Sequence, residues 1–345
     1  MKAAVMTGIK KIAIEERDIP EVLDNQVLVK IDYVGICGSD LHYYENGYIG
    51  DYKVEPPFVL GHESSGTIVE VSSQVTNLKI GDRVALEPGK TCGKCEFCKT
   101  GKYNLCPEVI FFATPPVGGV FQEYVAYDAD LCFKLTENVT ALEGAMIEPL
   151  SVGFHAANQG EAAFGQTAVV MGAGCIGLST MIALKAKGVA KVYVADILQN
   201  RLDKAKELGA TGIINVGETD LIKAVMDVTD GLGCDLAIET TGNENSFVGI
   251  TKLVKKGATI VWVGYSKADT VSIPVNLALD KEITFKTVFR YRNIYKMAIE
   301  AVANGIADPG GIVTDVFEFK DIGEALDLCI NNKAEIVKAV VKVSQ

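Results

Sequence analysis

Four cysteines lie close together near residue 100 of this 345-residue chain. They stand in TCGKCEFCKTGKYNLC with the spacing C-x2-C-x2-C-x7-C, as Cys92, Cys95, Cys98 and Cys106. Four thiolates at such a spacing can surround one tetrahedral zinc ion and leave no position for a substrate, so the motif predicts a structural zinc in a lobe at about residues 88–108. An iron–sulfur cluster is the alternative, and the seven-residue step before the fourth cysteine weighs against it. Two disulfides are disfavoured in a reducing compartment.

A second group of possible metal ligands comes from separate stretches. GICGSDLHYY places Cys37 at the end of a predicted strand, and GHESSG supplies His62 and Glu63 in a glycine-flanked turn. IEPLSVGFHA adds Glu148. A thiolate, an imidazole and a carboxylate suit a zinc ion that keeps a position open for water or substrate, where it acts as a Lewis acid on an alcohol. We expect Asp40 to accept the second ring N–H of His62 and fix its tautomer. The alternative is a core thiol beside an ordinary loop pair.

A glycine-rich turn indicates a nucleotide cofactor. MGAGCIGL places Gly172, Gly174 and Gly177 as G-x-G-x-x-G between an apolar strand and a helix, with Cys175 and Ile176 in the same turn. The glycines permit a tight turn, close approach of backbone N–H groups to a pyrophosphate, and close packing of helix on strand, while the helix N-terminus adds the positive end of its dipole. The alternative is a glycine turn that binds no cofactor.

The next predicted strand ends in an acid, Asp196, nineteen residues after Gly177. A carboxylate there accepts hydrogen bonds from an adenosine ribose diol and repels a 2′-phosphate, so the sequence predicts NAD rather than NADP. Arg201, at the start of the following helix, is either a contact on the adenine side or a solvated helix residue.

Two different kinds of structure must position these groups. Residues 1–151 read as short strands and glycine-rich turns, which predicts a β-rich domain. Residues 152–287 alternate apolar strands with helical stretches, which predicts a parallel sheet covered on both faces. The strands predicted there are 166–171, 191–196, 211–216, 234–240, 258–264 and 282–289. Residues 288–345 are expected to return to the first domain.

The bulk composition excludes some classes of function. The chain is 48% hydrophobic and 22% charged, as globular proteins are, and its formal net charge of −11 disfavours binding to nucleic acid or an anionic membrane surface. The chain has no run of about 18 apolar residues, the length that would predict a membrane span. Its first residues, MKAAVMTGIKK, lack the apolar segment of a secretory signal. We therefore expect a cytoplasmic protein.

The motifs together resemble those of the zinc-dependent medium-chain dehydrogenases, and more closely those of the polyol branch, the sorbitol and xylitol dehydrogenases. The matching segments run nearly from end to end: GICGSDLHYYENGYIG, VLGHESSGTI, GDRVALEPG, FFATPP, IEPLSVGFHA, GAGCIG and VFRYRN. The resemblance implies an α/β protein with a β-rich GroES-like catalytic domain and a Rossmann domain with a doubly wound parallel sheet. It also implies a homotetramer.

The resemblance also implies the ligands of a catalytic zinc. These are Cys37, His62 and Glu63, with water completing the shell. Glu148 then either holds that water or exchanges with it; the alcohol dehydrogenases of the family have a cysteine at this position. With the four-cysteine lobe, two zinc ions per chain are expected.

Five further residues are implied as substrate contacts. Ser39 and Tyr43 would lie near the reacting hydroxyl, and Phe111 would form an apolar wall. Arg290 and Tyr291 would reach the outer hydroxyls of a polyol. A site built to pair a row of hydroxyls rejects analogues that lack them.

The predicted activity is that of an NAD-dependent polyol dehydrogenase. A secondary alcohol, expected at C2, would become a ketose by hydride transfer to NAD in the cleft between the domains, and its proton would leave through water and Glu148 or through Ser39. A 2,3-butanediol or L-threonine dehydrogenase is the alternative within the family. A non-catalytic protein that keeps the NAD fold is a remote alternative, since its mark would be a lost zinc ligand and none is lost.

Overall fold

Strand-rich and alternating segments occur where the sequence predicts them. The structure is a computed structural model that describes residues 1–344. Its strands are β1 (Lys2–Gly8), β2 (Lys11–Glu16), β3 (Gln26–Gly35), β4 (Tyr48–Ile49), β5 (Tyr52–Lys53), β6 (Phe58–Val59), β7 (Glu63–Val71), β8 (Arg83–Leu86), β9 (Gly89–Lys90), β10 (Ile110–Phe111), β11 (Tyr124–Asp128), β12 (Cys132–Lys134), β13 (Thr167–Met171), β14 (Lys191–Asp196), β15 (Gly212–Asn215), β16 (Cys234–Glu239), β17 (Val254–Trp262), β18 (Thr284–Thr287), β19 (Asp315–Glu318) and β20 (Ala339–Lys342). Its α-helices are α1 (Gly38–Asn46), α2 (Glu96–Lys99), α3 (Ala141–Ala145), α4 (Ile147–Gln159), α5 (Cys175–Ala186), α6 (Gln199–Glu207), α7 (Leu221–Val228), α8 (Glu244–Gly249), α9 (Val275–Asp280), α10 (Tyr295–Ala303) and α11 (Ile322–Asn331).

The chain divides into two units. The first contains Met1–Glu148, Tyr295–Gly305 and the chain from Val313 onward. The second contains Pro149–Ile294 and Ile306–Ile312. The boundaries predicted for the catalytic domain, residues 1–151 and 288–345, and for the NAD-binding domain, residues 152–287, stay predictions. Among residues 1–344, no helix is both long and apolar enough to cross a membrane.

The first unit is built around a seven-stranded sheet. Its order is β12-β8-β7-β3-β20-β19, and β11 pairs with the part of β3 that β20 leaves free. Only β19 and β20 run parallel. A three-stranded sheet, β2-β1-β6, adds to the same apolar core. In the central pairing, Gly35 at the end of β3 lies opposite Glu63 at the start of β7, and this register positions the candidate metal ligands.

The second unit contains a six-stranded sheet in the order β15-β14-β13-β16-β17-β18, and every pairing in it is parallel. The central strand β13, TAVVM, has four of its five residues buried, as expected of a strand with helices on both faces. The chain leaves β13 toward β14 and later returns to its other side at β16. Ligands of such sheets bind at the carboxyl ends of the strands where this reversal occurs.

The predicted fold class, a β-rich domain joined to a doubly wound parallel sheet, is confirmed. One strand boundary differs by several residues. β17 was predicted over 258–264 but begins at Val254, because Val254 pairs with Cys234 through an irregular register. Three exposed residues, KKG, follow Val254. Their polarity resembles that of a loop, and the sequence pattern could not separate them from one.

Candidate metal centres and cofactor site

The four cysteines of the lobe surround one point. Their Sγ atoms all lie within 4.8 Å of one another, and no disulfide forms among the nine cysteines, all of which fall in the described chain. α2 begins after Cys95, whose sulfur accepts the backbone N–H of Cys98 at 3.5 Å. Backbone hydrogen bonds from Lys94 and Cys95 lower the pKa of the Cys92 thiol to about 7. Four sulfurs at this distance, one of them easily deprotonated, fit the closed shell of a structural zinc.

We expect Cys98→Ser to remove one zinc ion per chain and to lower the midpoint of thermal unfolding by about 10 °C. The bound ion stabilises only the folded lobe, and roughly 2–4 °C are lost per kcal/mol in a domain of this size. Elemental analysis and calorimetry measure both effects. Cys329→Ala, which changes a buried cysteine of α11 outside both metal groups, is the control. Full metal content in Cys98→Ser would contradict the assignment.

Cys37, His62 and Glu63 form the second group. Cys37 caps the N-terminus of α1, two residues after Gly35, and His62 directly precedes Glu63. Because Gly35 and Glu63 are paired, both segments reach the same place. One ligand atom from each of the three residues lies within 4.8 Å of the other two. His62 and Glu63 are buried, whereas Cys37 is partly exposed.

Asp40 holds the two segments of this group together. Its carboxylate is fully buried and accepts the backbone N–H of Cys37 at 3.0 Å and that of Gly61 at 2.9 Å. His62 Nδ1 lies 3.7 Å from Asp40 Oδ1, which is too long for a hydrogen bond, so Asp40 acts on the ring through its charge. Burial opposes a charged ring, but the Asp40 carboxylate and the Cys37 thiolate raise the pKa of His62 well above its usual value. A metal ion would take the place of that proton.

Lys338 is a partner of this group that the sequence analysis missed. Its Nζ donates to the Glu63 carboxylate and, at 2.9 Å, to the carbonyl of Ile36. The Lys338 and Glu63 side chains are only 2% and 1% exposed. Gly35 makes the pair possible, since a side chain there would overlap the Glu63 carboxylate. The sequence held one clue, a lysine in the middle of the apolar run IVKAVV, directly before the first residue of β20.

The other predicted residues of the first unit differ in how closely they approach the metal group. Phe111 contacts it directly, with its ring centroid 5.7 Å from that of His62. Ser39 and Tyr43 lie on α1, with Tyr43 buried and Ser39 partly exposed. Glu148 is buried in the first turn of α4 and does not belong to the three residues whose ligand atoms meet.

Arg290 and Tyr291 belong to the second unit. The Arg290 guanidinium lies over the ring of Phe289, 4.8 Å from its centroid, and Tyr291 is buried. Arg290 adopts a left-handed backbone conformation with a φ of 54°, which is uncommon for a residue other than glycine. Their assignment to the substrate stays a prediction.

The glycine turn of the second unit has the conformation that the motif predicts. Gly172 has a φ of 102°, and a side chain at Gly177 would overlap the carbonyl of Gly172. Gly174 is the N-cap residue of the twelve-residue helix α5, and no side chain caps this end. This end of the helix therefore offers the positive end of its dipole to an anion.

Asp196 and Arg201 both lie at this turn. Asp196 Oδ2 accepts the N–H of Ala173 at 2.7 Å, and Oδ1 accepts that of Leu198 at 3.0 Å. Each oxygen can accept a further hydrogen bond, as a ribose diol would require. Arg201 Nη1 lies 3.7 Å from the point that a Cβ on Gly174 would occupy. Of the two interpretations of Arg201, its position favours a contact with the cofactor.

Comparison with known proteins finds two matching family models, two similar relatives and one similar solved structure. Residues 23–137 match the "Alcohol dehydrogenase GroES-like domain" family and residues 175–304 the "Zinc-binding dehydrogenase" family. The chain is 43% identical to the sorbitol dehydrogenase of Bacillus subtilis over 99% of this chain and 97% of that protein. It is 41% identical to "Probable D-xylulose reductase A" of Aspergillus clavatus, covering 93% and 91%. The crystal structure of 2R,3R-butanediol dehydrogenase from Bacillus subtilis superposes with a TM-score of 0.91, 32% identity and 99% coverage of both chains.

Proposed function

Because the chain belongs to the zinc-dependent medium-chain dehydrogenases, in their polyol branch, we propose that it oxidises a secondary alcohol of a sorbitol- or xylitol-type polyol to a ketose and transfers the hydride to NAD. The observation that carries this proposal is the meeting of Cys37, His62 and Glu63 in one largely buried group. The glycine turn and Asp196 at the end of β14 support the cofactor, and the names of the sorbitol dehydrogenase and the xylulose reductase reported above support the substrate class.

The residues of the first unit would hold the catalytic metal and the alcohol. A thiolate, an imidazole and a carboxylate fit zinc, which when bound supplies a Lewis acid that makes an alcohol proton easier to remove. Glu63 is the proposed direct ligand in preference to Glu148, since only Glu63 meets the other two ligands. Asp40 and Lys338 would fix the directions of these ligands through the contacts described above.

The chain's own polar groups would move the proton and orient the polyol. We assign the Ser39 hydroxyl or the Glu148 carboxylate as acceptor of the alcohol proton. Phe111, packed against His62, would exclude water from the reacting carbon. Tyr43 is proposed to lie near the reacting hydroxyl, and Arg290 and Tyr291 are the proposed partners of the outer hydroxyls.

The direct test is NAD reduction with a panel of alcohols. We expect turnover with sorbitol, xylitol or ribitol, and two zinc ions per chain by elemental analysis. The similarity to a butanediol dehydrogenase structure makes 2,3-butanediol the second candidate, and L-threonine is the third. A preference for either over every polyol would overturn the substrate class and leave the dehydrogenase chemistry in place.

We expect Asp196→Asn to lower the preference for NAD over NADP by about 10- to 100-fold in kcat/KM. The amide keeps the shape of the side chain, but it loses the charge that pairs with the ribose diol and repels a 2′-phosphate; a charge-assisted hydrogen bond contributes about 1.5–3 kcal/mol. Asp203→Asn, an exposed acid of α6, is the matched control. An unchanged ratio in Asp196→Asn would remove the residue from cofactor selection.

The assembly is proposed on the family resemblance, and the location on the sequence features described above. We infer a cytoplasmic homotetramer of 36.9 kDa chains. Light scattering on the purified protein measures the assembly directly, and a monomer or dimer would contradict it.

A further inference from the structure

A buried carboxylate lies at the carboxyl edge of the parallel sheet, outside the residues assigned so far. Glu239 ends β16 and is fully buried. It pairs in register with Met171, the last residue of β13 before the glycine turn, and with Trp262, the last residue of β17. Glu239 therefore lies at the reversal of strand order, where a parallel sheet of this kind binds its ligand.

The Glu239 side chain organises the loop that follows β16. Its Oε1 accepts the Thr241 hydroxyl and, at 2.8 Å, the Thr241 N–H. The N–H of Gly242 lies 3.1 Å from both carboxylate oxygens. These groups are all donors, which suits a carboxylate that accepts at both of its oxygens. Burial raises the pKa of the Glu239 carboxyl, and the bonds from Thr241 and Gly242 oppose that shift.

The Glu239 backbone fixes a second loop. Its carbonyl accepts the N–H of Val263 at 2.9 Å and that of Gly264 at 3.2 Å, both in the loop after β17. The two loops touch at Gly264. They lie so close together that a side chain on Gly264 would collide with the backbone of Gly242 and with the Glu239 carboxylate. One residue thus connects the loops that follow two adjacent strands.

The first of these loops also reaches the glycine turn. The Thr240 hydroxyl donates to the carbonyl of Met171 at 2.7 Å. A side chain on Gly172 would press against Thr240 and Thr241. A displacement of the loop after β16 would therefore move the wall of the cofactor turn.

We propose that Glu239 is a positioning residue for the dinucleotide, holding the loops after β16 and β17 in the arrangement that accepts it. This inference rests on the proposed function, since it presumes that the second unit binds NAD. In Glu239→Gln, an amide group that cannot accept replaces one carboxylate oxygen, so the Gly242 N–H would lose one of its two acceptors and lie next to another donor. The loop after β16 would then lose the geometry that the cofactor needs, while the Glu239 backbone carbonyl would still hold the loop after β17.

The test measures the affinity for NADH directly. Trp262 is the only tryptophan of the chain, so energy transfer from Trp262 to the reduced nicotinamide reports binding. We expect Glu239→Gln to raise the Kd for NADH, and the KM for NAD, about tenfold, with unchanged zinc content and unchanged KM for the polyol. Glu244→Gln, an exposed glutamate of α8, should bind NADH as the unmodified protein does.

A second control separates positioning from general loss of stability. Val169→Ala shortens a buried side chain in the middle of β13 and should lower the unfolding midpoint while leaving the Kd for NADH within twofold. If the unmodified protein does not bind NADH, the proposed function fails. If it binds NADH and Glu239→Gln binds equally well, or if Val169→Ala weakens binding as much, the positioning role of Glu239 is wrong.

Discussion

Replacing Cys37 by serine should remove the zinc ion proposed for the group of Cys37, His62 and Glu63 and lower kcat/KM for the polyol by about a thousandfold. The thiolate is one of the three ligands of the open site, the name used here for the group of Cys37, His62 and Glu63. A hydroxyl is a poor zinc ligand at neutral pH. The missing Lewis acid accounts for several kcal/mol of the barrier, and each 1.36 kcal/mol is tenfold in rate. Metal content and turnover are measured on the same preparation.

The control for this substitution is again Cys329→Ala, which should retain both ions and full activity. In Cys37→Ser the ion of the four-cysteine lobe should remain, because that group shares no residue with the open site. Full turnover in Cys37→Ser, or in protein from which a chelator has removed this ion, would rule out the metal chemistry proposed here.

Replacing Lys338 by methionine should destabilise the metal-free protein by about 3–5 kcal/mol. The substitution leaves the Glu63 carboxylate buried without its counter-charge, and the loss of one partner of a buried ion pair typically costs this much. Added zinc should recover part of the loss, because a bound cation compensates the same carboxylate. Urea unfolding with and without zinc measures both quantities.

A double variant tests whether the charge of Glu63 causes this loss. In Lys338→Met combined with Glu63→Gln, no charge remains at the pair. We expect the metal-free double variant to regain most of the lost stability while it fails to bind the catalytic zinc. A double variant as unstable as Lys338→Met alone would show that the lysine acts through packing and not through the ion pair.

The parallel sheet was predictable because its strands are buried on both faces. Such strands appear as continuous apolar runs, and β13 and β14 began within one residue of their predicted positions. The start of β17 was missed because polar residues interrupt its apolar pattern. The glycine turn was predictable because its backbone requires glycine at two positions. Gly172 has a positive φ, and a side chain on Gly177 would overlap the carbonyl of Gly172.

The metal group was predictable in composition but not in its support. Thiolate, imidazole and carboxylate are recognisable as ligands wherever they stand, so Cys37, His62 and Glu63 could be proposed together. Lys338 could not, because it lies 275 residues from Glu63 in sequence and a lysine next to apolar residues does not reveal its partner. The roles of Asp196 and Glu239 as acceptors of backbone N–H groups are likewise visible only in the folded chain.

The long sequence separation between Glu63 and Lys338 has a consequence during biosynthesis. At about 5–20 residues per second, the ribosome adds the lysine roughly 14–55 s after the glutamate. All three ligands of the open site are translated within the first 63 residues, so a nascent chain can present them long before the ammonium group arrives. During that interval a captured cation would be the main neutralising charge for the carboxylate. We therefore expect zinc supply during translation to influence how much of the newly made protein folds with an intact metal site.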